Sequence, residues 1–126
     1  MNILVVEDNP SHLKLAHLVL TAAGHKVSDA EAATQAFNSI KQEKPQVILL
    51  DLMLPGMDGL TLVRKLKADP ETREIHVIVA TSYPDRYTKK EALAAGCDAY
   101  LVKPINTREL PQLVESVARN TEEPKQ

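Results

Sequence analysis

The sequence predicts an α/β protein, a doubly wound five-stranded parallel sheet with five helices packed on its two faces. Two observations carry this. Short apolar runs alternate with amphipathic stretches from end to end, and such alternation implies parallel strands joined by right-handed crossover helices. The run Val47-Ile48-Leu49-Leu50 is apolar without interruption, as expected of a strand covered on both faces.

Each element has its own signal. Residues 2–6 form a hydrophobic strand. Asn9-Pro10 reads as a helix N-cap followed by an N1 proline, and the helix runs to Gly24, a suitable C′ residue. Residues 26–29 make a brief second strand. Ala33, Ala36, Phe37 and Ile40 then recur at i, i+3, i+4 and i+7, the stripe of a helix with one buried face. Residues 47–50 form the third strand, Pro55-Gly56 a turn, and Leu62, Val63 and Leu66 mark the third helix. Residues 76–80 give a fourth strand, followed by a helix from about Asp85 to the C-cap glycine Gly96. Residues 99–102 form the fifth strand.

Leu110, Leu113, Val114 and Val117 mark the last helix. Asn106-x-x-Glu109 places a capping box ahead of it, yet Pro111 forfeits an amide donor, so the helix either starts late or bends. Residues 1–120 are expected to be one domain, and 121–126 a polar, frayed tail with no effector domain beyond it.

Composition narrows the function. A chain of 126 residues is near the commonest domain size. Lys plus Arg number 15 against 17 Asp plus Glu, a net charge of −2. That balance argues against nucleic acid or anionic membrane as the main partner. No apolar stretch approaches membrane-spanning length, and the start MNILVVEDNP lacks a basic n-region, so a cytoplasmic location is expected. The single cysteine, Cys97, excludes an internal disulfide and reads as a small packed residue. One Phe, three Tyr and no Trp leave little to stack on bases. His12, His17, His25 and His76 show no metal-binding spacing, and Lys65, Lys67, Lys89 and Lys90 read as solvated helix faces.

The strand ends carry the chemistry. Ligands of an open parallel sheet bind beyond the carboxyl ends of its strands. There the first strand runs into Glu7-Asp8, the third into Asp51, the fourth into Thr81-Ser82 and the fifth into Lys103-Pro104. In the common doubly wound orders, strands one and three adjoin or flank the switch point, so the three carboxylates converge. Carboxylates without thiolate or imidazole are hard ligands suited to Mg²⁺ or Mn²⁺. Asp51 then becomes a nucleophile for a phosphoryl group, with Lys103 pairing one oxygen and Thr81 donating to another. A phosphohydrolase of the haloacid dehalogenase type is the rival, but it needs a second acid two residues on, where Met53 stands. A flavin-binding reading fails because Glu7-Asp8 would repel the phosphate.

With these residues in view, the chain resembles a bacterial response-regulator receiver domain, near the single-domain chemotaxis and cell-cycle types, over roughly residues 2–119. The resemblance rests on ILVVEDN at 3–9, VILLDLMLPGMDG at 47–59, VIVATS at 77–82 and AAGCDAYLVKP at 94–104. It implies a flavodoxin-like fold with strand order 2-1-3-4-5. It makes Asp51 the phosphoacceptor, Asp8 a direct Mg²⁺ ligand, Glu7 a ligand through water, and Met53 a ligand through its backbone carbonyl. Thr81 and Lys103 become the family's hydroxyl and ammonium, Thr81 and Tyr100 the switch pair, and Lys103-Pro104 a cis peptide.

Phosphorylation would draw Thr81 to the new oxygens and let Tyr100 turn inward, shifting a two-state equilibrium. The implied donor is a histidine kinase or histidine phosphotransfer protein. The implied target is a downstream protein at the face made by the fourth helix, fifth strand and fifth helix. The implied role is regulatory rather than enzymatic, in a stand-alone regulator. The alternatives are a receiver excised from a hybrid kinase or larger regulator, a Mg²⁺-dependent phosphatase, and a phosphorylation-independent adaptor. Glu7 stands where the family often has aspartate, and Met53 and Tyr83 occupy positions that vary.

Overall fold

Five parallel strands make the central sheet of the computed structural model, which describes residues 1–122. They are β1 Asn2–Val6, β2 Lys26–Ala30, β3 Val47–Asp51, β4 His76–Thr81 and β5 Ala99–Val102, in the order β2-β1-β3-β4-β5. Between and after them run α1 Pro10–Ala22, α2 Ala33–Gln42, α3 Gly59–Ala68, α4 Lys89–Ala95 and α5 Glu109–Glu122. A two-residue pair, Met53–Leu54 against Met57–Asp58, makes a small antiparallel hairpin outside this sheet. This is the flavodoxin-like order expected. Among the described residues no helix is long and apolar enough to cross a membrane.

The uninterrupted apolar runs conceal a period of two, because successive strand side chains point to opposite faces. Leu4, Val6, Ile48, Leu50, Val77 and Val79 pack with residues of α2, α3 and α4. Ile3, Val5, Val47, Leu49, Ile78 and Ala80 pack with residues of α1 and α5. With β1, β3 and β4 buried on both faces, these central strands present polar groups at their carboxyl ends.

Helix ends follow their caps. The Asn9 side chain accepts from the Ser11 and His12 amides at 3.0 and 3.2 Å, and Gly24 follows α1 at φ 95°. Asn106 Oδ1 accepts from Arg108 N and Glu109 N at 2.9 and 3.1 Å, and its carbonyl accepts from Leu110 N at 3.0 Å. Pro111 has no amide to continue that ladder, so the regular helix begins only at Glu109. The late start, rather than an unbroken helix from the box, is therefore what Pro111 produces. The helix continues through Thr121 and Glu122, two residues into the expected tail. The rest of that tail, 123–126, lies outside the described residues.

Two expectations are corrected. The fourth helix begins at Lys89, not near Asp85. The Tyr83 carbonyl accepts from both Arg86 N and Tyr87 N, 3.1 and 3.0 Å, which makes one turn that goes no further. Thr88 then caps α4: its hydroxyl accepts from Glu91 N at 3.2 Å and donates to Glu91 Oε1 at 3.0 Å, on the Thr-x-x-Glu sequence pattern of a capping box.

Lys67, in turn, is no solvated lysine. Its Nζ donates to the carbonyls of Arg73 (3.2 Å) and Ile75 (2.7 Å) and to Asp98 Oδ2 (3.2 Å). The same carboxylate oxygen accepts from Val77 N at 2.7 Å. Together these bonds fasten α3, the approach to β4 and the approach to β5 at the amino end of the sheet. Lys65, Lys89 and Lys90 are exposed, as expected. Cys97 is buried, and burial pushes its thiol up to about 11, in keeping with a packed, unreactive residue.

Candidate functional site

Strand register decides which polar groups meet. Val6 is level with Leu50, Asp51 with Ala80, and Thr81 with Val102. Glu7, Asp51, Thr81 and Lys103 therefore leave the sheet close together at its carboxyl edge. Oxygens of Glu7, Asp8 and Asp51 lie within 4.8 Å of one another, with Glu7 buried, Asp51 half-buried and Asp8 exposed. The Lys103 side chain is only 7% exposed. Its ammonium donates to Glu7 Oε1 and, at 3.3 Å, to Asp51 Oδ2.

The remaining carboxylate oxygens are fixed by backbone. Asp51 Oδ1 accepts from Met53 N at 3.1 Å, and Glu7 Oε2 from Asn9 N at 3.2 Å. Burial raises the Glu7 carboxyl to about 7; its hydrogen bond to Asp51 pushes the same way, and Lys103 opposes. Independently of that displacement, the pocket sets three acids against one ammonium. Hard oxygens in that imbalance fit a divalent cation.

The loop after Asp51 is held tightly. Leu52 is fully buried, and the Gly59 amide donates to its carbonyl at 2.9 Å. A Cβ on Gly59 would stand 2.5 Å from Leu52 Cα, so this close approach requires glycine for space. Asp58 Oδ1 caps α3 by accepting from Leu60 N at 3.0 Å. The hairpin between them turns at Pro55-Gly56, where Gly56 has φ 78°.

The expected switch residues sit on the next two strands. Thr81 is fully buried, and its Oγ1 accepts from Tyr83 N at 2.9 Å. Tyr100 is half-buried, and its hydroxyl donates to the Tyr87 carbonyl. Thus β5 is tied to the segment just before α4. Met53 and Tyr83 are exposed. An open groove of about 470 Å³ separates the hairpin from that segment, lined among others by Asp8, Met53, Asp58, Arg86 and Tyr87. The Arg86 guanidinium lies 5.4 Å above the Tyr87 ring. The Lys103-Pro104 peptide is cis.

The structure adds a residue that the sequence reading passed over. His12 Nδ1 lies 3.1 Å from Lys103 Nζ and 3.6 Å from Glu7 Oε1. Spacing along the chain could not reveal it, because the two partners are 91 positions apart. His17, by contrast, pairs with Asp29 at 2.8 Å on the surface.

Comparison with known proteins agrees with this geometry. The response regulator receiver domain profile matches residues 3–115. The chain is 40% identical over 117 residues to response regulator PleD of Caulobacter vibrioides, covering 93% of the chain but only 26% of PleD. It is 30% identical over 116 residues to the polar-differentiation response regulator DivK of Brucella ovis, covering 92% of each. Among solved structures, a CheY-like receiver domain protein from Methanospirillum hungatei JF-1 superposes with TM-score 0.88 at 29% identity, covering 96% of this chain and 95% of the other. The receiver domain of sensor histidine kinase PA1611 from Pseudomonas aeruginosa PAO1 does so at 0.84 and 29%, over 94% and 97%. Its structure has a magnesium ion coordinated in the active-site cleft.

Proposed function

The chain belongs to the response regulator receiver domain family of two-component signalling, and on that premise we propose that Asp51 accepts a phosphoryl group and so switches partner binding. The observation that carries this is the convergence of Asp51 with Glu7, Asp8, Thr81 and Lys103 at one sheet edge. A carboxylate oxygen of Asp51 attacks the phosphorus of a phosphohistidine in line. The O–P bond forms as the P–N bond breaks, and the donor imidazole leaves with the electron pair. Lys103 passes one hydrogen bond from Asp51 Oδ2 to a phosphoryl oxygen. Thr81, which now accepts from Tyr83 N, turns its O–H to another.

Glu7, Asp8, Asp51 and the Met53 carbonyl would hold Mg²⁺ (Mn²⁺ takes the same oxygen ligands). When bound, the cation neutralises charge on the phosphoryl oxygens. The PA1611 receiver, with magnesium in its cleft, supports that assignment. The donor is a histidine kinase or histidine phosphotransfer protein. The reading extends to Thr81 and Tyr100 as the switch pair and to a downstream protein at α4, β5 and α5, where Leu93 and Val102 are exposed. It extends also to a stand-alone cytoplasmic regulator, a reading that the match to DivK over 92% of that protein's length supports. Met53 and Tyr83 stand beside the phosphoryl position and limit the entry of water.

Intact mass after incubation with acetyl phosphate and Mg²⁺ tests the reading. A base-labile phosphoryl adduct is expected on the wild type and absent from Asp51→Asn. With cation binding confirmed and rapid hydrolysis excluded, an unmodified wild type would make the chain an adaptor instead. Turnover of a small phosphomonoester would favour the phosphatase.

A further inference from the structure

His12 starts from a fixed place. The Asn9 cap accepts its backbone amide, which anchors the first turn of α1 beside the carboxyl ends of β1 and β5. From there Nδ1 reaches to 3.1 Å from Lys103 Nζ. A lysine ammonium has three donors and no acceptor, so Nδ1 must offer its lone pair to this contact. Glu7 Oε1, Asp51 Oδ2 and His12 Nδ1 then account for all three N–H groups. The Lys103 side chain is nearly buried, whereas His12 is 45% exposed. The imidazole thus forms the outer wall of the lysine's position.

We propose that His12 is a positioning residue for Lys103, its Nδ1 holding the ammonium where it meets a phosphoryl oxygen on Asp51. This rests on the reading of Asp51 as acceptor. During transfer the bond from Lys103 to Asp51 Oδ2 is the one exchanged for the phosphoryl oxygen. The bonds to Glu7 and His12 keep Nζ from following solvent outward. Without His12, the ammonium turns toward water and must be re-aimed at each encounter with a donor.

Two substitutions separate the lone pair from the bulk of the ring. His12→Leu fills similar space without an acceptor, and His12→Asn restores an oxygen near the place of Nδ1. His12 is on the surface, so both variants should melt with the wild type. His12→Leu is expected to slow phosphorylation by acetyl phosphate about three- to tenfold, the worth of one partly exposed hydrogen bond. His12→Asn should recover most of that loss. A readout that needs no phosphoryl transfer runs beside it. The Lys103 ammonium, assigned in ¹⁵N-detected lysine spectra through Lys103→Met, should give a slowly exchanging signal in wild type and His12→Asn but not in His12→Leu.

Equal rates and equal ammonium signals in wild type and His12→Leu would overturn the inference while leaving Asp51 as acceptor. A slowed His12→Leu that His12→Asn fails to rescue would overturn it too, since bulk rather than the lone pair would be responsible. A wild type that takes up no phosphoryl group would refute the reading of Asp51 instead, and the ammonium signal would still decide whether His12 holds Lys103.

Discussion

Gly59→Ala tests whether the pocket depends on the close seating of α3 against the residue after Asp51. The added Cβ would stand 2.5, 2.8 and 2.9 Å from Leu52 Cα, O and C. Ordinary contact begins near 3.4 Å, so the shortfall is 3.4 − 2.5 = 0.9 Å. All three atoms are backbone, and no side-chain rotation relieves them. Overpacking of this kind costs about 1–3 kcal/mol. Weakening the Gly59 N to Leu52 O bond adds about 1, while alanine's better helix propensity returns at most about 1. The net is about 2 kcal/mol, which for a chain of this length lowers Tm by roughly 6–8 °C.

Thermal melts followed by circular dichroism measure it. Gly24→Ala is the control: Gly24 has φ 95° with nothing within 4 Å of its Cβ position, so only the left-handed conformer costs, about 1–2 kcal/mol. Because Leu52 adjoins Asp51, Gly59→Ala should also weaken Mg²⁺ binding, and Gly24→Ala should not. A Gly59→Ala variant that melts with the wild type and binds Mg²⁺ equally well would refute the reasoning.

Four more outcomes are expected. Lys67→Met should cost about 2 kcal/mol in urea melts, because it strips three acceptors of a charged donor, whereas the exposed Lys65→Met should leave the melt unchanged. Thr88→Ala should cost about 1 kcal/mol through loss of the α4 cap. Replacing Tyr83 or Met53 by Asn should shorten the lifetime of the phosphoryl adduct, followed by its decay in intact mass; an unaltered lifetime would show that these side chains do not gate water.

His25 should make stability sensitive to acid. Burial, helped by the amino-terminal ammonium and opposed by Glu115, holds its pKa below the ordinary value, and its Nε2 lacks a hydrogen-bond partner. A base depressed on folding binds fewer protons in the native state. Its contribution is therefore full above about pH 6.5 and is lost as pH falls toward the folded pKa. Urea melts across that window should steepen this loss in wild type and flatten it in His25→Gln.

The sheet was legible because its signals are local. Apolar runs of the right length, ending in polar groups, need no knowledge of the rest of the chain. The same holds for the Asn9-Pro10 cap and for Gly24 and Gly96. The start of α4 was legible as well, since Thr88-x-x-Glu91 is a capping box in sequence, but Pro84-Asp85 also resembles a helix start. Only the turn closed on the Tyr83 carbonyl shows that this first attempt ends. Lys67 and His12 were beyond reach for another reason. Their meaning lies in Asp98 and Lys103, and helical periodicity cannot distinguish a charge facing water from one facing a distant partner. The convergence of the acids came from strand topology, whereas the closeness of Lys103 to Glu7 required coordinates.

The contact between Lys103 and Glu7 spans 96 positions, and its consequence concerns synthesis rather than signalling. Loop closure over such a distance comes late, after the local elements have formed. A chain emerging from the ribosome exposes the acids of β1 and β3 well before the lysine that compensates them exists. A truncated chain lacking β5 therefore lacks the ammonium that the folded pocket sets against Glu7 and Asp51. On the proposed reading of Asp51, competence for phosphoryl transfer thus arrives with the last strand to be synthesised.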